Sequence, residues 1–298
     1  MTKTAFITIA GRTNAGKSSL LNAVIGEKIA SVSDKPQTTR TRITGIKNIG
    51  DTQLVFFDTP GLHKASTKLS AHMLKTVKES VSGIDGVIFM LDCTRKLKET
   101  ELNMLENLNA AKIPVILAPN KIDLLRNKAT LMEIIATLSE QFAFHAVVPV
   151  SVTENDGISV ILDEVMKLAT DSPHLFPDDM FTDQPEKVLA AEMIREKLLM
   201  LLNDEVPHGI AVGVELMKER EDKDILDIEA IIYCERESHK GIIIGKHGAM
   251  LKKASTAARQ ELEDFFQIKV NLQCWVKVKE DWRNREGIIK NFGLTAAK

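Results

Sequence analysis

Residues 11–18 read GRTNAGKS, with an apolar run, Thr4–Ala10, before them and a helical pattern, Ser19–Val24, after them. The spacing GxxxxGKS is typical of a phosphate-binding loop between a strand and a helix. Two glycines at this spacing let consecutive backbone N–H groups turn toward phosphate oxygens, and the positive end of the following helix adds attraction. A plain Gly-rich turn is the alternative, but the preceding strand and the full spacing favour phosphate binding.

Two side chains of this loop carry specific chemistry. We expect Lys17 to neutralise the β- and γ-phosphates of a nucleotide and the Ser18 hydroxyl to ligate Mg²⁺. The predicted nucleotide contacts of the loop are Gly11, Arg12, Thr13, Asn14, Ala15, Gly16, Lys17, Ser18 and Ser19.

The composition indicates an ordinary globular protein. The 298 residues are 44% hydrophobic and 27% charged, which is enough chain for about two domains with separate cores. The net charge of −2 hides an asymmetry: residues 239–298 hold twelve Lys and Arg against six Asp and Glu, whereas residues 183–238 hold seven against fifteen. The basic end predicts contact with a polyanion, with scattered solvated charge as the alternative.

The cysteines and the lengths of the apolar runs indicate in which cellular compartment the protein is expected. Cys93, Cys234 and Cys274 lie in apolar, strand-like segments without CxxC spacing, which predicts buried reduced thiols rather than a metal cluster or disulfides. No apolar run approaches the ~20 residues that span a bilayer, and strand-like sequence from residue 4 leaves no room for a signal peptide. We therefore expect a cytoplasmic protein, and peripheral membrane contact stays open.

Apolar runs alternate with helical patterns through residues 4–171. The runs lack polar alternation, so their strands are expected to be covered on both faces, in an α/β fold with a doubly wound parallel sheet and ligands at the strands' carboxyl ends. Ile43–Ile49 predicts a hairpin strand on an antiparallel edge. Further predicted strands are Leu54–Asp58, Gly86–Asp92, Pro114–Asn120 and Ala146–Ser151, and the predicted helices are Lys68–Ser82, Lys98–Ala111, Lys128–Phe142 and Val160–Ala169.

The texture changes at residues 172–185, which are rich in proline and acidic residues and predict an interdomain linker. The predicted domains are thus 1–171 and 186–298, the second with a C-terminal tail. The second domain is expected to be α+β, because its final strand alternates apolar and polar residues. Its other predicted elements are a helix at Glu186–Leu202, strands at Ile210–Met217 and Ile225–Tyr233, a Gly-punctuated loop and a helix at Met250–Phe266.

Two further motifs end predicted strands of the first domain. Asp58 closes one strand, where its carboxylate can hold Mg²⁺ through water, and Gly61 can offer its N–H to a γ-phosphate. Asn120-Lys121-Ile122-Asp123 closes another strand. The Asp123 carboxylate can accept hydrogen bonds from guanine N1–H and the 2-amino group, a donor pair that adenine lacks. Lys121 can lie over the purine, and Asn120 can tie this loop to residues 11–18.

These ordered motifs resemble the translation-factor-type, Ras-like GTPases over residues 4–171. The resemblance implies that a threonine between residues 36 and 40 ligates Mg²⁺; Thr39 is favoured, and Thr38 is kept as a nucleotide contact. The metal set is then Ser18, Thr39 and Asp58, and the catalytic set is Lys17, Thr39 and Gly61. The resemblance also implies a last base-binding loop at Ser151 and Val152. The family usually has Ala at the second of these positions, so in this chain the contact of the loop with guanine O6 is expected to depend on backbone N–H groups.

One departure from the family pattern concerns hydrolysis. Leu62 stands where many such enzymes have a water-orienting Gln, so intrinsic hydrolysis is expected to be slow. A related subset of GTPases with Asn at the position of Asn14 binds K⁺ near the β- and γ-phosphates. The resemblance therefore makes Asn14 a candidate K⁺ ligand.

The second domain carries a GxxG motif, Gly245–Gly248, between an Ile-rich segment and an amphipathic helix. Its glycines leave backbone N–H groups open to sugar-phosphate, the lysines add attraction, and the apolar segment can form a wall for unstacked bases. GxxG is also common in plain helix–helix turns, but the element order and basic charge resemble a KH domain of bacterial topology. The predicted RNA contacts are Lys240, Gly241, Ile242, Ile244, Gly245, Lys246, His247, Gly248, Lys252 and Lys253.

A GTPase domain joined by a short linker to a KH domain resembles the Era family of bacterial GTPases over essentially the whole chain. The resemblance implies binding near the 3′ end of 16S ribosomal RNA, a role in assembly of the 30S subunit and loose association with the inner membrane. A GTP-dependent scaffold whose KH-like domain binds protein is the alternative. A GTPase of transfer-RNA modification would need a modification domain, for which the sequence shows no cysteine or cofactor site.

Overall fold

The computed structural model describes residues 1–35, 38–40, 42–59, 83–203 and 206–291. By their contacts, these residues form two compact units. The first holds residues 1–30, 39–59 and 83–183, and the second holds residues 31–38 and 184–291. Pro36, Gln37, Gly61, Leu62 and the predicted helix at 68–82 lie outside the described residues.

The first unit is built on a mixed sheet with the order β2-β3-β1-β4-β5-β6, and β7 pairs antiparallel with the start of β1. The predicted antiparallel edge is confirmed, because β2 pairs antiparallel with β3. The strands are β1 (Lys3–Gly11), β2 (Ile43–Ile49), β3 (Thr52–Asp58), β4 (Gly86–Asp92), β5 (Val115–Asn120), β6 (Ala146–Val147) and β7 (Thr170–Asp171). The helices among the described residues are α1 (Lys17–Ile25), α2 (Glu99–Ala110), α3 (Lys128–Gln141) and α4 (Ile158–Met166).

Apart from their last residues, the central strands β4 and β5 are apolar because both of their faces are covered. Every residue of β4 and β5 is buried. The parallel strands β1, β3 and β5 end at Gly11, Asp58 and Asn120, so three of the sequence motifs emerge at one edge of the sheet. The α/β sheet predicted from the sequence is confirmed.

The predicted strand Ala146–Ser151 is shorter in the structure. Only Ala146–Val147 forms β6, and Val150 then makes an isolated parallel bridge to Asn120. Pro149 lies between them and has no N–H to continue the ladder. The bridge nevertheless brings the chain back beside the end of β5, where the base-binding loop is expected.

Residues 172–183 are hydrogen-bonded to the sheet of the first unit. The buried Gln53 side chain accepts from the N–H groups of Leu175 and Phe176 at 2.8 and 3.0 Å and donates to Phe176 O at 2.9 Å. Ile46 N–H donates to Phe181 O on the open side of β2. This pairing covers an edge strand that would otherwise expose unpaired backbone groups. The domain bounds drawn from the sequence stay a prediction.

The second unit is α+β, with a three-stranded sheet in the order β10-β9-β8. Its elements are α5 (Glu186–Leu201), β8 (Ala211–Glu219), β9 (Ile225–Cys234), α6 (Glu237–Ile244), α7 (Ala249–Phe266), β10 (Lys269–Val278) and α8 (Glu286–Asn291). β9 runs antiparallel to β8 and parallel to β10. The predicted helix, two strands, long helix and final strand are confirmed in that order, and the segment predicted as a Gly-punctuated loop contains the additional short helix α6.

The core of the second unit lies between its helices and one face of the sheet. Alternate residues of β9, among them Ile228 and Ile232, pack against Ile194 of α5 and Leu262 of α7. Cys234 belongs to this core, and the predicted burial of the cysteines holds also for Cys93, while Cys274 is half-buried. None of the helices in the described residues combines the length and apolar character that a bilayer crossing requires.

Candidate functional site

The loop at residues 11–18 connects β1 to α1 and requires both of its glycines. Gly11 has φ +141°, and a Cβ built there would lie 2.3 Å from Met90 O. Gly16 has φ +101°, and its Cβ would lie 2.2 Å from Asn120 Nδ2. Gly16 also caps α1 without a side-chain hydrogen bond, so the positive start of that helix faces the loop. This arrangement suits an anion.

Lys17 and Asp58 are both buried beside the loop, and each influences the ionisation of the other. Lys17 Nζ donates to Arg12 O at 3.0 Å. Burial lowers the pKa of Lys17 while Asp58 opposes that shift; burial raises the pKa of Asp58 while Lys17 opposes it. A phosphate at this loop would favour the charged ammonium.

Three oxygen-bearing side chains converge beside Lys17. The Ser18 hydroxyl donates to Asp58 Oδ2 at 2.6 Å and lies 2.7 Å from Thr39 Oγ1, which in turn donates to Asp58 Oδ2 at 3.3 Å. The Thr38 hydroxyl points elsewhere and donates to Lys35 O at 2.7 Å. Asp58 Oδ1 is buried and makes no hydrogen bond within the described ranges. An oxygen-only set with one such orphaned acceptor fits a hard divalent cation such as Mg²⁺.

Asn120 joins two loops through its side-chain amide. Its Nδ2 donates to Ala15 O at 2.8 Å, and its Oδ1 accepts from Val152 N–H at 3.3 Å. Hydrogen bonds of this kind stabilise by about 1 kcal/mol each. The structure thus ties the end of β5 to the phosphate loop, as expected from the sequence, and also to the loop at residues 151–152.

Lys121 and Asp123 follow at the end of β5. Lys121 adopts a left-handed φ of 67°, and its Nζ donates to Asp92 Oδ2 at 2.7 Å. Burial raises the pKa of Asp92, but hydrogen bonds from Lys121 and Thr94 outweigh this effect and hold that pKa below its ordinary value. Asp123 lies exposed in a single 3₁₀ turn, Ile122–Leu124.

Asp92 was missed by the sequence reasoning. The available signal was its place at the end of β4, at the same sheet edge as the other motifs. Its carboxylate now accounts for the position of the Lys121 ammonium in the structure.

The remaining predicted nucleotide contacts lie around the same loops. The Arg12 guanidinium turns to Glu101 of α2 at 3.6 Å. Asn14 has a left-handed φ of 64°, Thr13 is half-buried, and Ser19 lies in the first turn of α1. Ser151 is buried, and its hydroxyl accepts from Glu154 N–H at 3.3 Å.

The predicted RNA loop lies between α6 and α7 in the second unit. Gly245 has φ +71°, and a Cβ there would lie 2.9 Å from Met250 N, so the turn requires glycine. Lys246 and His247 are exposed at the tip, and His247 is left-handed with φ 52°. Fixed glycines with exposed cationic neighbours suit a sugar-phosphate ligand.

The flanks of this loop are apolar on one side and basic on the other. Ile243 is fully buried in the core, while Ile242 stays 48% exposed and Ile244 is half-buried. Lys252 and Lys253 are exposed at the start of α7. Gly241 is exposed in α6, where Lys240 Nζ lies 3.9 Å from Glu237.

Two family models match the chain, one in its N-terminal part and one in its C-terminal part. Residues 6–121 match the family described as 50S ribosome-binding GTPase, and residues 205–283 match the KH domain family. GTPase Era of Clostridioides difficile strain 630 is 47% identical over 293 residues, which cover 98% of this chain and 99% of that protein.

Two solved structures are similar over nearly the full length. A crystal structure of Era in complex with MgGDPNP and nucleotides 1506–1542 of 16S ribosomal RNA has a TM-score of 0.94, with 35% identity over 99% of this chain and 100% of that one. A single-residue variant of Aquifex aeolicus Era bound to GDP·AlF₄⁻ also has a TM-score of 0.94, with 35% identity over 98% of this chain and 99% of that one. Identity of this degree over both domains shows that the chain belongs to the Era family of GTPases.

Proposed function

We propose that the protein is a GTP-dependent switch that binds the 3′ region of 16S ribosomal RNA and assists assembly of the 30S subunit. The observation that carries the nucleotide half is the cluster of Ser18, Thr39 and Asp58 oxygens beside the buried Lys17. The RNA half is supported by the exposed basic loop at Gly245–Gly248. It is also supported by the similar Era structure with RNA bound.

In the nucleotide half, Lys17 and the backbone of residues 11–16 hold the phosphates. Ser18, Thr39 and Asp58 hold Mg²⁺, which neutralises charge on the phosphate oxygens when it is bound. We assign this role to Thr39 rather than Thr38, because only the Thr39 hydroxyl lies with Ser18 and Asp58. Gly61 is proposed to contact the γ-phosphate.

The base is held by residues at the ends of β5 and β6. Asp123 accepts from guanine, and Lys121 covers the purine face once it leaves Asp92. Asn120 fixes the surrounding loops, with Ser151 and Val152 facing guanine O6. Hydrolysis is slow without an added group, and Asn14 is the proposed K⁺ ligand.

In the RNA half, the loop N–H groups and the lysines bind sugar-phosphate, while Ile242 and Ile244 offer an apolar surface to unstacked bases. Nucleotide state changes RNA affinity and RNA changes nucleotide affinity, because such coupling is reciprocal. A cytoplasmic location is supported by the three cysteines, which lack the spacing of a disulfide framework or a metal cluster, and peripheral attachment to the inner membrane rests on the family resemblance alone.

A titration of the full chain with labelled RNA tests this function. The probe is a fragment equivalent to nucleotides 1506–1542 of 16S ribosomal RNA, with GDPNP or GDP and Mg²⁺ present, at 50 and 200 mM salt. Binding through three or four phosphates should weaken roughly 20- to 50-fold over this range, since the logarithmic slope is about 0.7 per phosphate of a single strand. Affinity should also differ between the two nucleotides.

The controls separate the alternatives. A fragment of 23S ribosomal RNA of equal length should bind more weakly, and it is included because the matched family is described by the 50S subunit. An affinity for RNA that is the same at 50 and 200 mM salt would favour the alternative function, a scaffold whose second domain binds protein. Equal affinity for both RNAs, or the same affinity with GDP and GDPNP, would contradict the proposal.

A further inference from the structure

The described residues of the stretch 31–38 belong to the second unit by their contacts, although the described residues before and after them belong to the first. We call the described part of this stretch, 31–35 and 38, the switch segment. It lies against α5, and Thr38 at its end is directly bonded to Thr39. Whatever fixes this segment therefore fixes the backbone next to the proposed Mg²⁺ ligand.

The first half of the switch segment is bound through hydrogen bonds to α5. Val32 N–H donates to Glu196 Oε2 at 2.7 Å. The Ser31 hydroxyl donates to the Glu192 backbone carbonyl at 3.0 Å. Because the Val32 contact uses the backbone of the segment, it orders the chain itself.

The second half is bound by a buried arginine. The Arg195 guanidinium donates through Nη2 to the Thr38 carbonyl oxygen. It is paired on its own helix with Glu192, whose Oε1 accepts from Arg195 Nε at 2.9 Å. A guanidinium is suited to such a role because its donors are arranged in a rigid fork.

The burial of these charges shows that α5 serves two surfaces. Met193, Ile194 and Leu198 face the core of the second unit. Arg195 is 1% exposed and Glu196 is fully buried, so neither is a solvated surface charge. Burying a charge is unfavourable unless it is well paired. Packing against the sheet alone would be served by apolar residues at these two positions.

We propose that Arg195 and Glu196 are positioning residues that hold the switch segment so that Thr39 is ready for Mg²⁺ and the γ-phosphate. The inference rests on the proposed role of Thr39. Prior ordering of a loop lowers the entropy lost when its ligand binds. The benefit falls on the nucleotide that engages Thr39, namely GTP or its analogue GDPNP, and not on GDP.

The test uses the full chain with Arg195→Met and Glu196→Leu, and measures affinities for fluorescent GDPNP and GDP in Mg²⁺. Each substitution should weaken the affinity for GDPNP about 10-fold and the affinity for GDP less than 2-fold. Hydrogen exchange of the Val32 amide should quicken. Glu196→Gln should restore most of the GDPNP affinity, because its amide oxygen can still accept from Val32.

Two further variants serve as controls. Glu261→Gln changes one of the two carboxylates that pair with Lys197, since Lys197 Nζ bridges Glu261 of α7 and Glu196, and it leaves Glu196 itself in place. It should leave both affinities unchanged. Thr39→Ala should weaken GDPNP selectively while the Val32 amide stays protected. If Arg195→Met does not fold, Arg195→Lys, which loses the fork but keeps the charge, carries the test.

The outcomes separate this inference from the proposed function. The positioning role would be overturned if Arg195→Met and Glu196→Leu lost affinity for GDP and GDPNP equally, or lost affinity for neither. It would also be overturned if Glu261→Gln lost as much affinity for GDPNP as they do. A wild-type chain that binds GDPNP no better than a Thr39→Ala chain would instead overturn the proposed role of Thr39. A wild-type chain that binds neither nucleotide would overturn the proposed function.

Discussion

Asp123→Asn should convert the protein from a guanine binder into a xanthine binder. Guanine presents two donors, N1–H and the 2-amino group, and a carboxylate accepts from both. The Asn amide has only one acceptor oxygen, so its NH₂ group would face one of the two guanine donors without a hydrogen bond. Hydrogen bonds to a charged group are worth about 1.5–3 kcal/mol each, so the affinity for GDP should fall at least about 100-fold. Xanthine has an oxygen at position 2, which matches the amide donor.

The measurement is competition between GDP and xanthosine diphosphate for the bound fluorescent nucleotide. Asp123 is exposed in its 3₁₀ turn, so the substitution should leave the thermal unfolding midpoint nearly unchanged. Asp163→Asn, at an exposed position of α4, is the matched control and should keep guanine preference. Unchanged GDP affinity in Asp123→Asn would refute the assignment.

Reversing two charges at the GxxG loop should abolish most RNA binding. Lys246 and Lys252 are both exposed, one in the loop and one at the start of α7. In Lys246→Glu/Lys252→Glu, RNA affinity should fall on the order of 100-fold, and the salt slope should drop by about 1.4 because two phosphate contacts are lost. GDP affinity should not change.

The control for this prediction reverses two exposed lysines of the first unit, in Lys112→Glu/Lys128→Glu. It changes the net charge equally and should leave RNA affinity within about 3-fold. Equal loss in both double variants would mean that net charge, and not the loop, governs binding. Unchanged RNA affinity in Lys246→Glu/Lys252→Glu would remove the loop from the RNA site.

The sheet and its motifs could be predicted from the sequence because both follow local patterns. Continuous apolar runs predict covered strands, and polar motifs at strand ends meet wherever parallel strands share an edge. Asn120 illustrates this, since its contact with the phosphate loop was expected and is observed at 2.8 Å. The choice between Thr38 and Thr39 could not be made in this way. Both are threonines in one loop, and only the fold shows which hydroxyl lies beside Asp58.

Buried polar contacts between distant segments were also outside the reach of sequence patterns. Arg195 and Glu196 stand in a helix where charged residues usually face water, yet both are buried and each makes a hydrogen bond to the switch segment. Likewise, the proline-rich stretch after residue 171 has no periodicity that would pair it with Gln53, whose side chain binds it three times. Such contacts depend on which backbone groups the tertiary fold leaves unpaired.

A guanine-specific nucleotide site in the first unit is tested most directly by calorimetry of the full chain. Titration with GDP in Mg²⁺ should release heat and saturate at one nucleotide per chain, while ADP under the same conditions should give no saturable binding. Absence of heat with GDP, or equal affinity for ADP, would contradict the account.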